Sequence, residues 1–182
     1  MAIQCSVFIA TSLDGFIARP DGSIDWLTSG LSPPGGEDYG YADFINTIDA
    51  LVMGRRTYEL AASFPQWPYG SRRVFVLSTS HPGNGKALSR VVTGISSRPD
   101  QLVEMLSREG FQRAYVDGGK TIQGFLRAGL INDMTITRIP ILLGEGIPLF
   151  GSTGSDISLR HVVTRSYPSG FVQSRYELLP VR

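Results

Sequence analysis

Residues 116–122, Val-Asp-Gly-Gly-Lys-Thr-Ile, constrain the fold more than any other stretch, because a β-branched run breaks there at two adjacent glycines and resumes as a helical pattern. Strand, glycine turn and helix in that order make a phosphate-binding turn. Glycine lets the backbone approach an anion, and the first free N–H groups of the helix supply donors at the positive end of its dipole. Lys120 and Thr121 add an ammonium and a hydroxyl. An ordinary strand-to-helix turn accounts equally well for the motif taken alone. A Walker loop does not, since Gly119-Lys120-Thr121 would require glycine where Ala114 stands.

Strands and helices alternate up to and through this motif. Ile3 to Leu13 reads as a central buried strand ending at Asp14-Gly15, and Phe16 to Arg19 as a short strand pairing back. Tyr41, Phe44, Ile45 and Ile48 fall at helical spacing within Glu37 to Ile48. Ala50 to Met53, Val74 to Leu77 and Val91 to Thr93 are strands; Gly54 to about Ser63 and Pro99 to Glu109 are helices, the second stopped by Gly110. Ala114 to Asp117 leads into a helix from Thr121 to near Gly129.

The tail breaks the alternation. Met134 to Ile141, Ile157 to Ser166 and Phe171 to Leu179 follow one another as strands, the last two joined through Tyr167-Pro168-Ser169-Gly170. The expectation is an α/β fold with a mostly parallel central sheet and an antiparallel C-terminal hairpin. No repeat or linker divides the chain, so residues 1–182 are read as one domain.

Charge and cysteine usage narrow the function classes. With 17 basic and 16 acidic residues the net charge is +1, which calls for no nucleic-acid partner. The lone Cys5 allows no intramolecular disulfide. No apolar run reaches the roughly 18 residues of a membrane span, and the N-terminus lacks a cationic signal region. A cytoplasmic protein acting on a small molecule is expected.

Turns bearing glycine or hydroxyl groups follow the strands ending at Met53, Leu77 and Asp117, and in an open α/β sheet such turns share one crevice. A dinucleotide fits there. Pyrophosphate would lie on Gly118-Gly119 and on the helix after Gly54, while Arg55 or Arg56 with Ser78, Thr79 or Ser80 would hold a further phosphate on the adenosine ribose. That favours NADPH over NADH; solvated surface arginines are the competing reading. The Gly-x-Gly-x-x-Gly fingerprint is absent, so the fold is not the common dinucleotide one. Asp25-Trp26-Leu27-Thr28, followed by Gly30, Pro33, Pro34, Gly35 and Gly36, reads as a loop over a site or as a plain surface connection.

Ile9-Ala10, Trp26, Val52 to Glu59, Val76 to Thr79 and Asp117-Gly118-Gly119 resemble, in order, the landmarks of dihydrofolate reductase. Ser12-Leu13-Asp14-Gly15, Trp26 to Ser29, the acidic residue before Gly118-Gly119, and Phe125 to Asp133 are similar to the reductase domain at the C-terminal end of bifunctional riboflavin-biosynthesis proteins. Leu142 to Phe150 resembles stand-alone members of that group. The resemblance implies a three-layer dihydrofolate reductase-like fold and NADPH-dependent hydride transfer to a carbon–nitrogen double bond or masked carbonyl of a small heterocyclic or ribosylaminopyrimidine-type substrate.

By motif position, it implies that Gly54, Arg55, Arg56, Thr57, Leu77, Ser78, Thr79, Gly118, Gly119, Lys120 and Thr121 line the cofactor, with Ala10 and Ile17 beside the nicotinamide. It further implies substrate contacts from Asp14, Trp26 and Phe44, and a homodimer through the C-terminal strands. For the proton it implies Asp38, at the acidic position relative to Gly54, with Asp117 as the alternative; a pocket walled by Trp26 and Phe44 would disfavour the charged form of such a carboxyl. A dipole-favoured charge at a helix start is the competing role for Asp38, and orienting its own turn that for Asp117.

Two departures bear on the substrate. Phe16 stands where riboflavin reductases commonly carry arginine, and their basic helix after the tryptophan segment is replaced by Gly35-Gly36-Glu37-Asp38-Tyr39, which puts a phosphoribosyl substrate in doubt. No zinc-deaminase motif is present, and no metal is expected. Dihydrofolate reductase proper and a non-catalytic NADPH-binding module are the alternatives.

Overall fold

The computed structural model describes residues 3–28, 36–78 and 91–180. The loop expected at residues 29–35, and Thr79 and Ser80, lie outside them. The strands are β1 (Gln4–Ser12), β2 (Phe16–Ala18), β3 (Ala50–Gly54), β4 (Arg73–Leu77), β5 (Val92–Ile95), β6 (Arg113–Asp117), β7 (Asp133–Ile139), β8 (Ile147–Pro148), β9 (Leu159–Ser166) and β10 (Val172–Leu178). The helices are α1 (Asp25–Thr28), α2 (Tyr41–Asn46), α3 (Arg55–Ala62), α4 (Pro99–Arg108) and α5 (Gly119–Arg127).

The main sheet has the order β5-β4-β3-β6-β1-β7-β10-β9. Neighbours from β5 to β7 run parallel, and β10 is antiparallel to both β7 and β9. Strand alternation divides the core into two layers. Ala50, Val52, Ala114 and Val116 face α4 and α5, which contribute Leu102, Leu106, Ile122 and Phe125. Leu51, Met53 and Tyr115 face α2 and α3, which contribute Ile45, Tyr58 and Ala61. Strands covered on both faces are apolar without interruption, which is why β3 reads Ala-Leu-Val-Met. Each fully buried large side chain, such as Phe125 or Leu106, contributes about 1.5–3 kcal/mol.

Two local expectations are corrected. The strand at Phe16 does not pair back on β1, because β6 and β7 already occupy both edges of β1; β2 instead pairs antiparallel with β8. The helix expected from Glu37 begins only at Tyr41, since Gly40 takes a left-handed conformation with φ 79° ahead of it. At the far edge all eight residues of β9 are exposed, Leu159, Val162 and Val163 among them. No helix among the described residues is long and apolar enough to cross a membrane.

Candidate active site

The parallel strands deliver Gly54, Leu77 and Asp117 to one edge of the sheet, with Gly54 in register with Leu77 and Met53 with Asp117. Ser78 continues the edge, its N–H donating to the Ile95 carbonyl at 3.0 Å. Two helices start here. Glycine caps both α3, at Gly54, and α5, at Gly118, so no side chain occupies the first N–H groups of either.

The two turns are interlocked by threonines. A Cβ on Gly118 would stand 2.3 Å from Thr57 Oγ1, and Gly118 has φ 90° besides, so only glycine fits there. Reciprocally, a Cβ on Gly54 would stand 3.2 Å from Thr121 Oγ1. A Cβ on Gly119 would meet both Ile17 Cδ1 and the Pro148 carbonyl at 3.1 Å, which places β2 and β8 against the start of α5. Lys120 and Arg56 are exposed at the helix starts, and Arg55 pairs with Glu59 at 2.8 Å.

Asp117 ends β6 on the α2–α3 side of the sheet. Its Oδ1 accepts the Gly118 N–H at 2.8 Å. Although the residue keeps part of its surface open, burial of the carboxyl dominates and pushes it up to about 6, against the opposing pull of the Gly118 N–H and of the Tyr115 and Tyr69 hydroxyls. Tyr41 is pushed up to about 12 by burial and then by the charge of Asp117; Tyr69 and Tyr115 move upward for the same reasons.

The other two carboxylates have different surroundings. Asp38 is exposed and accepts the Gly40 and Ala42 N–H groups at 2.9 and 2.8 Å, which hold it below the usual carboxylate range. Asp14 accepts the Ser12 hydroxyl at 2.5 Å and the Leu143 and Gly144 N–H groups at 3.2 and 2.8 Å, and is likewise held low, by Ser12 first. That ties the segment at 141–149 to the β1–β2 turn, where Phe16 packs beside Gly146.

Trp26 and Phe44, expected to wall one pocket, belong to separate apolar clusters. Trp26 is 2% exposed beside Ile139, Phe171 and Ala10, whereas Phe44 stacks on Phe8 at 4.9 Å and meets Tyr115 edge-on at 5.1 Å. The cause is topological: α2 lies over β1 and β6, and α1 lies by the end of β7. The Trp26 Nε1–H is buried without a partner among the described residues.

Sequence reasoning missed Tyr69 and Tyr115. Tyr115 was legible, since two residues before Asp117 on one strand means the same face. Tyr69 carries no sequence signal, because it approaches from the segment between α3 and β4.

These layers and these shared strand ends define an open α/β protein with the dihydrofolate reductase-like fold expected from the sequence. The family described as the RibD C-terminal domain matches residues 5–173, and the chain belongs to it. It is similar to the uncharacterized protein YwjB of Bacillus subtilis (strain 168), at 35% identity over 88% of this chain and 90% of that protein. A solved structure of a putative riboflavin biosynthesis protein from Shewanella sp. PV-4 superposes with a TM-score of 0.91 at 39% identity, covering 99% of this chain and 100% of its own. The riboflavin biosynthesis protein RibD of Corynebacterium ammoniagenes is 30% identical over 76% of this chain, which spans 43% of that longer protein.

Proposed function

We propose that the chain is an NADPH-dependent reductase that delivers hydride to a carbon–nitrogen double bond or masked carbonyl of a small heterocyclic or ribosylaminopyrimidine-type substrate, as in riboflavin-type chemistry. The observation that carries the reading is the cradle at Gly118: a turn where no Cβ fits, opening a helix whose N–H groups no side chain caps, interlocked with a second such turn at Gly54.

The residues present suit a dinucleotide. Gly54, Thr57, Gly118, Gly119 and Thr121 would hold its pyrophosphate, Lys120 and Arg56 would add positive charge, and Ala10 and Ile17 would meet the nicotinamide. When bound, the coenzyme supplies the hydride. The chain's own tasks are to orient the acceptor, exclude water and provide one proton. Asp117 suits the last task, because a carboxyl near 6 still carries its proton in about one molecule in ten at neutral pH, roughly a hundredfold more often than an ordinary aspartate, and loses little on giving it up. Asp38, exposed and bound to two backbone N–H groups, lends the dihydrofolate-type alternative no support.

Titration with NADPH and NADH, followed by coenzyme fluorescence, tests the reading. Tighter binding of the 2′-phosphate form is expected, with Lys120→Ala or Arg56→Ala losing about tenfold in affinity. Equal affinity for the two coenzymes, untouched by either substitution, overturns it. Asp117→Asn should bind coenzyme normally and lose about 100-fold or more in turnover with the accepted substrate.

A homodimer through β9 is part of the same proposal, supported by the exposure of that strand on both faces. Light scattering should give twice the chain mass.

A further inference from the structure

The segment that leaves β7 and passes through β8 is held at both of its ends. At the near end the clamp is Asp14, in the turn between β1 and β2. Its Oδ1 accepts the Ser12 hydroxyl at 2.5 Å and the Leu143 N–H at 3.2 Å, and its Oδ2 accepts the Gly144 N–H at 2.8 Å. Two backbone bonds run beside it, from the Leu13 N–H to the Ile141 carbonyl at 2.8 Å and from the Leu149 N–H to the Gly15 carbonyl at 3.0 Å. Although Asp14 is exposed, three of the roughly four acceptor positions of its carboxylate are taken by the chain itself.

At the far end the clamp is Gln123. Gly119, Gln123 and Arg127 stand four residues apart on α5 and so share a face of the helix. Gln123 Nε2 donates to the Pro148 and Leu149 carbonyls at 3.2 and 3.1 Å, and Arg127 to the Ser152 carbonyl at 3.4 Å, so the segment descends that face from the helix start. Where it crosses the start, the Pro148 carbonyl and Ile17 Cδ1 each lie 3.1 Å from the point where a Cβ on Gly119 would stand. β2 is in equally close contact with the segment, since a Cβ on Gly146 would collide with the Ala18 carbonyl.

We propose that Asp14 is a positioning residue for the coenzyme rather than a contact for the substrate: it holds residues 143–149 so that Ile17, Ile147 and Pro148 form a fixed wall at the start of α5. This rests on the reading of that helix start as the coenzyme cradle. A carboxylate suits the task, because the Leu143 and Gly144 N–H groups reach separate oxygens, and a side-chain amide would turn its own N–H groups toward one of them. Without those acceptors the segment hangs chiefly from Gln123, and the wall beside Gly119 loosens.

The test combines amide hydrogen exchange by NMR with coenzyme titration in the full-length chain carrying Asp14→Asn, which keeps the size and the turn preference of aspartate. Exchange at Leu143 and Gly144 should quicken by about tenfold while the buried Val116 amide in β6 is unchanged, and NADPH should bind about fivefold more weakly. Gln123→Leu releases the same segment from α5, leaves the β1–β2 turn intact and should weaken NADPH likewise. Unchanged NADPH affinity in Asp14→Asn, the pattern of a direct substrate contact, overturns the proposal, and so does faster exchange that extends to Val116, the pattern of general loosening. Should Asp14→Asn fail to fold, unchanged affinity in Gln123→Leu refutes it. Wild type binding neither NADPH nor NADH would sink the reductase reading and this proposal with it, whereas coenzyme held alike by wild type and variants sinks the proposal alone.

Discussion

The two ends of the parallel sheet each bury an aspartate, and they treat it in opposite ways. At the amino ends of the strands, Asp133 is 7% exposed and meets Arg113 at 3.2 Å, Arg175 at 3.9 Å and the Ser6 hydroxyl at 2.9 Å. Arg113 reaches further, to the Ser6 and Thr47 hydroxyls and over the Phe44 ring, so one carboxylate ties together β1, β6, β7, β10 and the end of α2. At the carboxyl ends, Asp117 accepts the Gly118 N–H at 2.8 Å and pairs with no cation among the described residues. A buried charge with cations around it is a fastening; one without them resists ionisation and is free to exchange a proton.

The largest effect should come from the fastened end. Asp133→Ala leaves Arg113 without its carboxylate, and urea unfolding should show a loss of about 3 kcal/mol or more. A loss under about 1 kcal/mol would mean that the network is decorative and that the contrast between the ends is overstated.

The other end should respond with the reverse sign. The folded carboxyl of Asp117 titrates near 6 against 3.8 in the unfolded chain, so between those values the native state holds the additional proton and stability falls as pH rises. From this group about 2–3 kcal/mol present at pH 4 is lost by pH 7. Melting curves of Asp117→Asn across that range should lack this decline and lie above wild type at neutral pH. Parallel curves for the two proteins would contradict the assignment.

A smaller effect probes the interlock of the turns. Gly118→Ala forces a methyl onto Thr57 Oγ1 and into a strained φ, which should cost about 2 kcal/mol and weaken coenzyme binding. Adding Thr57→Ala should restore part of the stability, the part due to the clash, and leave the part due to φ. Full additivity in the double mutant would show that the contact exerts no force.

Much of this was written in the chain. The run Val-Asp-Gly-Gly-Lys-Thr determined a strand, a turn with positive φ and a helix with bare N–H groups, because glycine is required where no Cβ fits and β-branched residues favour the strand before it. The apolar run of β3, the alternation up to α5 and the strand-only tail likewise determined a parallel sheet with an antiparallel edge, and the landmarks in order determined the family. These are local signals, carried by neighbours in sequence.

What only the tertiary structure decided is which distant groups meet. Asp38 and Asp117 look alike as residues, but a left-handed Gly40 turns the first outward to bind backbone N–H groups, and the sheet register carries the second inward beside Tyr69 and Tyr115. Trp26 and Phe44 part company because their helices cover different strands. Asp14 fastens a segment about 130 residues away, which no local pattern announces. The reason is physical: the charge state of a carboxyl follows from its distance to water and to donors, and those distances exist only once the chain has folded.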